Sequence, residues 1–201
     1  MIHDSAQDIE TASRGLRLGA FGWKHPDWRN DFYPDDLPED WQLSYYANEF
    51  SCVLVPASYW AQQPLDVEQM LDDVPDDFVF YLQGPTNHDE QTALRDVIDQ
   101  LGQRLGGIIT DRPLASVGSE LQYCYAQPSD QARGIWTPHH PASSGVAVLS
   151  LQQSDIRTWR RWLERFSESA GGDLKALLVS DDEPEMQQLQ QLKTLLELMG
   201  F

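Results

Sequence analysis

The sequence predicts an α/β fold built from parallel strand–helix units, on three observations. Short apolar runs alternate with amphipathic stretches along the 201 residues. Apolar residues make up 41% of the chain, which suits a globular protein with one sizeable core. The last two amphipathic stretches have the 3.6-residue period of helices. Strands that alternate with helices favour βα units and a parallel sheet.

Each element is predicted from its apolar run or apolar stripe and from the turn residues beside it. The predicted strands are Leu16–Gly22, Cys52–Val55, Phe78–Gln83, Gly107–Thr110, Leu121–Tyr125, Val146–Ser150 and Leu174–Ser180. The predicted helices are Glu39–Phe50, Asp66–Asp72, Glu90–Leu105, Ser154–Ser169 and Glu185–Met199. Residues 126–145 are rich in Pro, Ser and Gly and predict an irregular connection.

The clearest helix is the one predicted at Ser154–Ser169. Ile156, Trp159, Leu163 and Phe166 recur at helical spacing and form one apolar stripe. Ser154 is the expected N-cap, and the glycines at 171–172 end the segment.

Composition excludes several classes of protein. The net charge of −18 repels nucleic-acid backbones and anionic membranes, so we expect neither as a partner. No apolar run approaches the roughly 20 residues of a membrane span. Residues 1–15 lack the features of a secretory signal and predict a polar, mobile leader. Cys52 and Cys124 lie in apolar stretches and predict buried, reduced thiols in a cytoplasmic protein.

The stretch from residue 16 to 55 carries a recognisable set of motifs. A strand ending in Gly-x-x-Gly-Trp is followed by a Trp, the triplet Phe-Tyr-Pro, a helix with Tyr-Ala and Phe, and a second strand. This order and spacing resembles the start of the YecE-like family (domain of unknown function 72). Residues 78–88, 101–113 and 149–198 are similar to later parts of the family, whereas the likeness is weakest at 114–145.

The resemblance implies a TIM-type (β/α) barrel. Such barrels run to roughly 250 residues, so this chain is about a fifth shorter. Only 31 residues separate Pro113 from Gly145, too few for two full strand–helix units. We therefore expect one domain over residues 16–201, a reduced or incomplete barrel that lacks one or two helices in its shortened middle section. Apolar faces left uncovered there would favour a homodimer or a protein partner.

The strand ends, where barrel sites form, depart from the pattern of the family. The second strand ends at 53–56 in VLVP, where the family has Val-Glu-Ile-Asn, and Gln83 stands where the family has Lys. The fourth strand ends at 110–113 in TDRP, and the last ends at 179–182 in VSDD. Since Leu carries neither the charge nor the proton of Glu, inherited catalysis is not expected.

What survives at the opening of the chain is aromatic, with 11 of the 21 aromatic residues within 21–60. We therefore predict a non-catalytic domain that binds a small molecule or a protein through an aromatic strand-end mouth. The sequence also allows each of these aromatics to be ordinary core. The predicted ligand-binding residues are Trp23, His25, Trp28, Tyr33, Tyr59 and His88.

The alternative is an enzyme with a rebuilt acidic site, a metal-assisted hydrolase or isomerase. Its candidate residues are His88, Asp111, Asp181 and Asp182. No phosphate-binding, dinucleotide-binding or common hydrolase motif is present, so no cofactor is expected. The adjacent His139 and His140 lack partner spacing for a metal site.

Overall fold

The computed structural model describes residues 15–125, 132–142 and 144–201. Residues 1–14 of the predicted leader and part of the predicted irregular connection lie outside them. The described residues form eight strands: β1 (Arg17–Ala20), β2 (Cys52–Val55), β3 (Val79–Gln83), β4 (Leu105–Thr110), β5 (Gln122–Cys124), β6 (Arg133–Gly134), β7 (Val146–Leu149) and β8 (Ala176–Val179). They also form six α-helices: α1 (Gln42–Ala47), α2 (Ala57–Trp60), α3 (Val67–Asp72), α4 (Gln91–Leu101), α5 (Ile156–Ala170) and α6 (Met186–Met199).

All seven predicted strands and all five predicted helices are found, most of them with shorter bounds. Strand β2 has the predicted bounds, and β4 begins two residues earlier than predicted. The helix predicted at Glu90–Leu105 ends at Leu101, because Gly102 takes a positive φ of 52° and a 3₁₀ turn leads directly into β4. The two-residue strand β6 and the one-turn helix α2 were missed, since neither is long enough to show a hydrophobic period.

The N-cap predicted for α5 was wrong by one residue. Asp155 rather than Ser154 caps the helix, and its carboxylate accepts the backbone N–H of Thr158 at 2.8 Å. The hydroxyl of Ser154 instead accepts the indole N–H of Trp159 at 2.7 Å. Gly171 ends the helix in the left-handed conformation, as the sequence predicts.

The strands form two parallel sheets, which confirms the predicted α/β class. One sheet has the order β1-β8-β7 and the other has the order β2-β3-β4-β5-β6. The sheets meet at two parallel bridges, Phe21 with Leu54 and Trp136 with Ala147. At the first junction the N–H of Gly22 donates to the carbonyl of Leu54 at 2.8 Å.

Successive residues of each strand pack in opposite directions, as strand geometry requires. In β2, Val53 and Val55 belong to a large apolar cluster that the sheets share with the helices. Cys52 and Leu54 belong to a second cluster formed by the opposite faces of both sheets. The two cysteines are buried and unpaired, as predicted.

The sequence predicts that the shortened middle section lacks one or two helices. In the structure a loop, and not an α-helix, covers the outer face of β5 there. The described residues between β4 and β7 contain no α-helix. The side chain of Gln122 is 1% exposed, and it bonds to the backbone of Leu114, Val117 and Gly118. The described part of β5 is therefore not an uncovered apolar face, which removes one reason to expect a partner there. Association itself stays a prediction.

Candidate functional site

A cavity of about 660 Å³ opens at the carboxyl ends of the strands, and we call it the mouth cavity. Residues at or just after the ends of six strands, from both sheets, line it. Its apolar part comes from Phe21, Leu54 and Ile109, which belong to or pack against the cluster between the sheets. Its polar part includes Gln83, Asn87, His88, Gln91, Asp111, Arg112, Tyr125, Ser180 and Asp182. This is the position at which parallel α/β barrels and sheets carry their sites.

Gln83 is held at the end of β3 with its amide oriented. Its Oε1 accepts the backbone N–H of Ala57, the first residue of α2, at 2.8 Å. Because Oε1 accepts this bond, Nε2 remains as a donor. Among the described residues, no acceptor lies within hydrogen-bond distance of Nε2. Gly84 follows, and a Cβ there would lie 2.7 Å from Cγ2 of Thr110, so only glycine allows β3 and β4 to approach this closely at the mouth.

The loop between β3 and α4 is held by the carboxylate of Glu90. This group accepts the N–H of Thr86 at 2.7 Å and the side-chain N–H of Asn87 at 2.8 Å. The side-chain oxygen of Asn87 accepts the N–H groups of Asp89 and Glu90. His88 lies in the middle of this bonded loop, and its imidazole has no hydrogen-bond partner in the described part of the chain. The loop thus presents His88 at the mouth cavity.

The end of β4 places Arg112 and Asp111 at the mouth. The hydroxyl of Thr110 donates to the carbonyl of Arg112 at 2.9 Å, and the thiol of Cys124 donates to the carbonyl of Asp111 at 3.1 Å. Within the described residues the guanidinium of Arg112 has no carboxylate within salt-bridge distance. Burial and the charge of Asp111 raise the pKa of Tyr125 to about 12, so its phenol stays protonated at neutral pH.

Asp181, one of the acidic candidates, has a structural role. It is 6% exposed, and its carboxylate accepts the backbone N–H of Leu151 at 2.8 Å and the hydroxyl of Ser150. These bonds join the end of β8 to the residues after β7. Asp182, the next residue, lines the mouth cavity and is exposed. Among the described residues, no three His, Cys, Asp or Glu side chains are grouped so that they could hold a metal ion.

The structure places three of the six predicted ligand-binding residues in the packed core, which corrects the predicted aromatic mouth. Trp23, Trp28 and Tyr33 are at most 3% exposed. The Trp28 indole donates to the carbonyl of Pro184 at 2.7 Å, and the Tyr33 hydroxyl donates to the carbonyl of Trp23, also at 2.7 Å. Their rings fill the layer between the sheets and the helices, because large aromatic side chains bury the most apolar area there.

Tyr59 and His25 lie beside this core and not at the mouth cavity. The Tyr59 ring packs edge-on against Trp23 at 5.0 Å, and its oxygen accepts the N–H of Lys24. A Cβ on Gly22, whose φ is 77°, would come within 2.9 Å of that oxygen. The His25 ring lies 4.3 Å from the ring of Trp28, and its Nε2 bonds the carbonyl of Phe21 at 2.8 Å. Burial lowers the pKa of His25.

A smaller cavity of about 280 Å³ adjoins His25 and Trp28 and is bounded by residues 183–187. Of the six predicted residues, His88 is the one that lines the mouth cavity. Asp111 and Asp182, which the sequence offers as candidates for the metal-assisted alternative, also line it, whereas Gln83 and Arg112 stand out in the sequence only as departures from the family pattern at strand ends. Tyr125 was missed as a site residue, and its one signal was its position directly after β5.

Comparison with known proteins agrees with the motifs at the start of the chain. The family profile described as "Protein of unknown function DUF72" matches residues 17–134, more than half of the chain. The chain therefore belongs to the DUF72 family, as the resemblance indicated.

Solved structures of DUF72 family proteins share the fold. One from Thermotoga maritima MSB8 has a TM-score of 0.62 at 14% identity, covering 91% of this chain and 99% of that chain. Another from Enterococcus faecalis V583 has a TM-score of 0.61 at 10% identity, covering 93% of this chain and 98% of that chain. At these identities the likeness concerns the fold alone. No curated protein matches the chain. Within the described residues, no helix is long and apolar enough to span a membrane.

Proposed function

We propose that the chain is a small-molecule-binding domain whose site is the mouth cavity, carried on a reduced TIM-type barrel. The two sheets would form one ring of eight strands, joined at β1–β2 and at β6–β7. The hydrogen bonds at both junctions support this ring. Trp136 donates to Val146 at 3.0 Å and accepts from Val148 at 2.9 Å through backbone atoms, and Gly22 bonds Leu54. The middle section, with its short strands and no α-helix among the described residues, is the reduced part.

The observation that carries the proposal is the convergence of polar groups on one apolar-floored cavity. Gln83, His88 and Arg112 follow two neighbouring strands, β3 and β4. The side chain of each has an N–H donor with no hydrogen-bond acceptor among the described residues. A volume near 660 Å³ lies within the roughly 300–1,000 Å³ of pockets that hold small ligands. Such pockets combine an apolar lining with a few oriented polar groups.

The site proposed here is polar at its rim, unlike the aromatic mouth that the sequence predicted. Trp23 and Tyr33 lie in the core outside the mouth cavity, where they hold the segment after β1 in place. Their indirect contribution would be stability, and the contacts with ligand would be made by the residues of the mouth cavity.

The first test is native mass spectrometry of the untagged protein from its own host. We expect an added mass of a small organic molecule. Its retention should fall in a variant with Arg112→Met and stay unchanged with Arg95→Met, which removes the same charge from the exposed face of α4. A bound molecule retained equally by both variants and by Gln83→Ala would place the site elsewhere and contradict the proposal.

A second candidate, a metal-assisted hydrolase or isomerase, has one observation in its favour. His88, Asp111 and Asp182 line the same cavity. Asp181 is removed from its candidate residues, since Leu151 and Ser150 occupy its carboxylate. This function requires a stoichiometric divalent metal in protein purified without chelators, and that metal should be lost in the double variant Asp111→Asn, Asp182→Asn. A sample free of metal in both forms would contradict this candidate.

A further inference from the structure

In the proposed ring of eight strands β4 and β8 are four strands apart, so the charged groups that follow them would lie on opposite sides of the mouth cavity. Asp111 and Arg112 follow β4, the central strand of the five-stranded sheet, and Asp182 follows β8, the central strand of the three-stranded sheet. Facing sheets pack about 10 Å apart. A ligand that contacts both sides must therefore carry its two polar ends several bonds apart.

The β3–β4 side offers donors to an anionic group. Arg112 supplies a guanidinium, whose planar donors match a carboxylate, and Thr110 fixes the turn that carries it. Gln83 supplies Nε2, and His88 supplies its imidazole. Asp111 is the carboxylate that lines the cavity on this side, whereas the carboxylate of Glu90 is used by Thr86 and Asn87 within the loop. The formal charges of Arg112 and Asp111 cancel, so donors and not net charge distinguish the lining of this side.

The β8 side offers an acceptor to a cationic group. Asp182 is exposed to the cavity, and within the described residues it has no salt-bridge partner. The neighbouring hydroxyl of Ser180 is used by the carbonyl of Leu149 at 3.3 Å, so Asp182 is the free polar group there. Between the two sides, Phe21, Leu54 and Ile109 form an apolar surface.

We propose that the mouth cavity binds a small zwitterion with separated charges, such as an apolar dipeptide or an ω-amino acid. Its carboxylate would lie at Arg112, Gln83 and His88, its ammonium group at Asp182, and its apolar body on Phe21, Leu54 and Ile109. This inference rests on the proposed function, since it names the ligand class of the same cavity. The net charge of −18 favours a neutral zwitterion over a simple anion, which it would repel.

The test is calorimetric titration with L-leucyl-L-leucine and 6-aminohexanoate, each compared with derivatives that lack one charge. N-acetylation removes the cation, and methyl esterification removes the anion. We expect both parent compounds to bind, and each derivative to bind at least about 10-fold more weakly, the effect of one lost charge-assisted hydrogen bond. Free L-leucine, whose two charges sit on one carbon, should bind as weakly as the derivatives.

Variants assign each end. Arg112→Met should weaken binding of the dipeptide and of its N-acetyl form and leave binding of the methyl ester unchanged. Asp182→Asn should weaken binding of the dipeptide and of its methyl ester and leave binding of the N-acetyl form unchanged. Arg95→Met and Asp72→Asn, exposed and outside the cavity, are the charge-matched controls. Equal binding of parents and derivatives, or a ligand of one charge type bound in the cavity, would overturn the zwitterion while keeping the proposed function. Absence of binding by all of these probes at millimolar concentration would overturn the inference as well.

Discussion

Gln122 pairs its side-chain amide with both backbone groups of Leu114. Its Oε1 accepts the Leu114 N–H at 2.7 Å, and its Nε2 donates to the Leu114 carbonyl at 3.0 Å. The amide thus bonds the loop as a neighbouring strand would. This contact lets residues 114–118 cover the outer face of β5 without an α-helix.

Replacing Gln122 should therefore loosen the shortened section. Gln122→Ala leaves the N–H of Leu114 and several carbonyls without partners, so we expect a loss of about 2–3 kcal/mol in the free energy of unfolding. Gln100→Ala on the exposed face of α4 is the matched control and should change it by less than about 0.5 kcal/mol. Urea denaturation followed by circular dichroism measures both. Equal stability of the two variants would show that the loop does not depend on Gln122.

The opening aromatics are expected to contribute stability and not ligand contacts. Trp28→Phe removes the indole donor to the carbonyl of Pro184 and part of a buried ring, so we expect a loss of about 2–3 kcal/mol. The affinity of the folded variant for a mouth-cavity ligand should stay within about twofold. The contact between Trp28 and Pro184 lies outside the mouth cavity, and substitutions at separate sites affect each other little. Thermal unfolding and calorimetric titration of the same sample separate the two effects. A selective loss of affinity would restore the aromatic mouth.

Asp181 should behave as a structural carboxylate. Asp181→Ala leaves the N–H of Leu151 without its acceptor, and we expect a loss of about 1–3 kcal/mol in the free energy of unfolding. The metal content of the purified protein should not change with this substitution. Elemental analysis of wild-type and variant protein checks this, and a metal that disappears only in the variant would give Asp181 the catalytic role that the sequence suggested.

His25 predicts a pH dependence of stability with a definite sign. Burial lowers its pKa in the folded state below the ordinary value of 6.5, against the smaller opposing effects of its backbone contacts, Glu183 and Asp27. Protonation therefore favours the unfolded state, and the contribution of His25 to stability is lost as the pH falls below about 6.5. In His25→Gln that part of the loss should disappear. Unfolding curves at pH 7.5 and 5.5, set beside those of the exposed His140→Gln, measure it. An unchanged slope in His25→Gln would contradict the direction.

Much of the fold could be predicted because its elements are long enough to show a period. The apolar stripe at Ile156–Phe166 predicted α5, and the apolar run at Cys52–Val55 predicted β2. Strand β6 and helix α2 are too short for that signal. The role of Gln122 was also hidden, since a single glutamine has no pattern, and only the fold brings it under the loop.

The location of the candidate site could be predicted, together with three of its lining residues, His88, Asp111 and Asp182, but not the others. Strand ends could be identified, and the changes at 53–56, 110–113 and 179–182 pointed to the mouth. The direction in which an aromatic side chain points could not be predicted. A Trp that follows a strand has the same sequence pattern whether it packs in the core or lines the mouth. Trp23 and Trp28 are buried in the core. The Trp28 indole donates to the carbonyl of Pro184, and the backbone carbonyl of Trp23 accepts the hydroxyl of Tyr33.

The most direct test of the mouth cavity as the ligand site is an amide NMR titration of the ¹⁵N-labelled protein with L-leucyl-L-leucine, or with the molecule that native mass spectrometry recovers. The largest shift changes should fall on Gln83, His88, Arg112 and Tyr125. Changes concentrated instead on Trp23, His25, Trp28 and residues 183–187 would contradict the assignment and move the site to the smaller cavity.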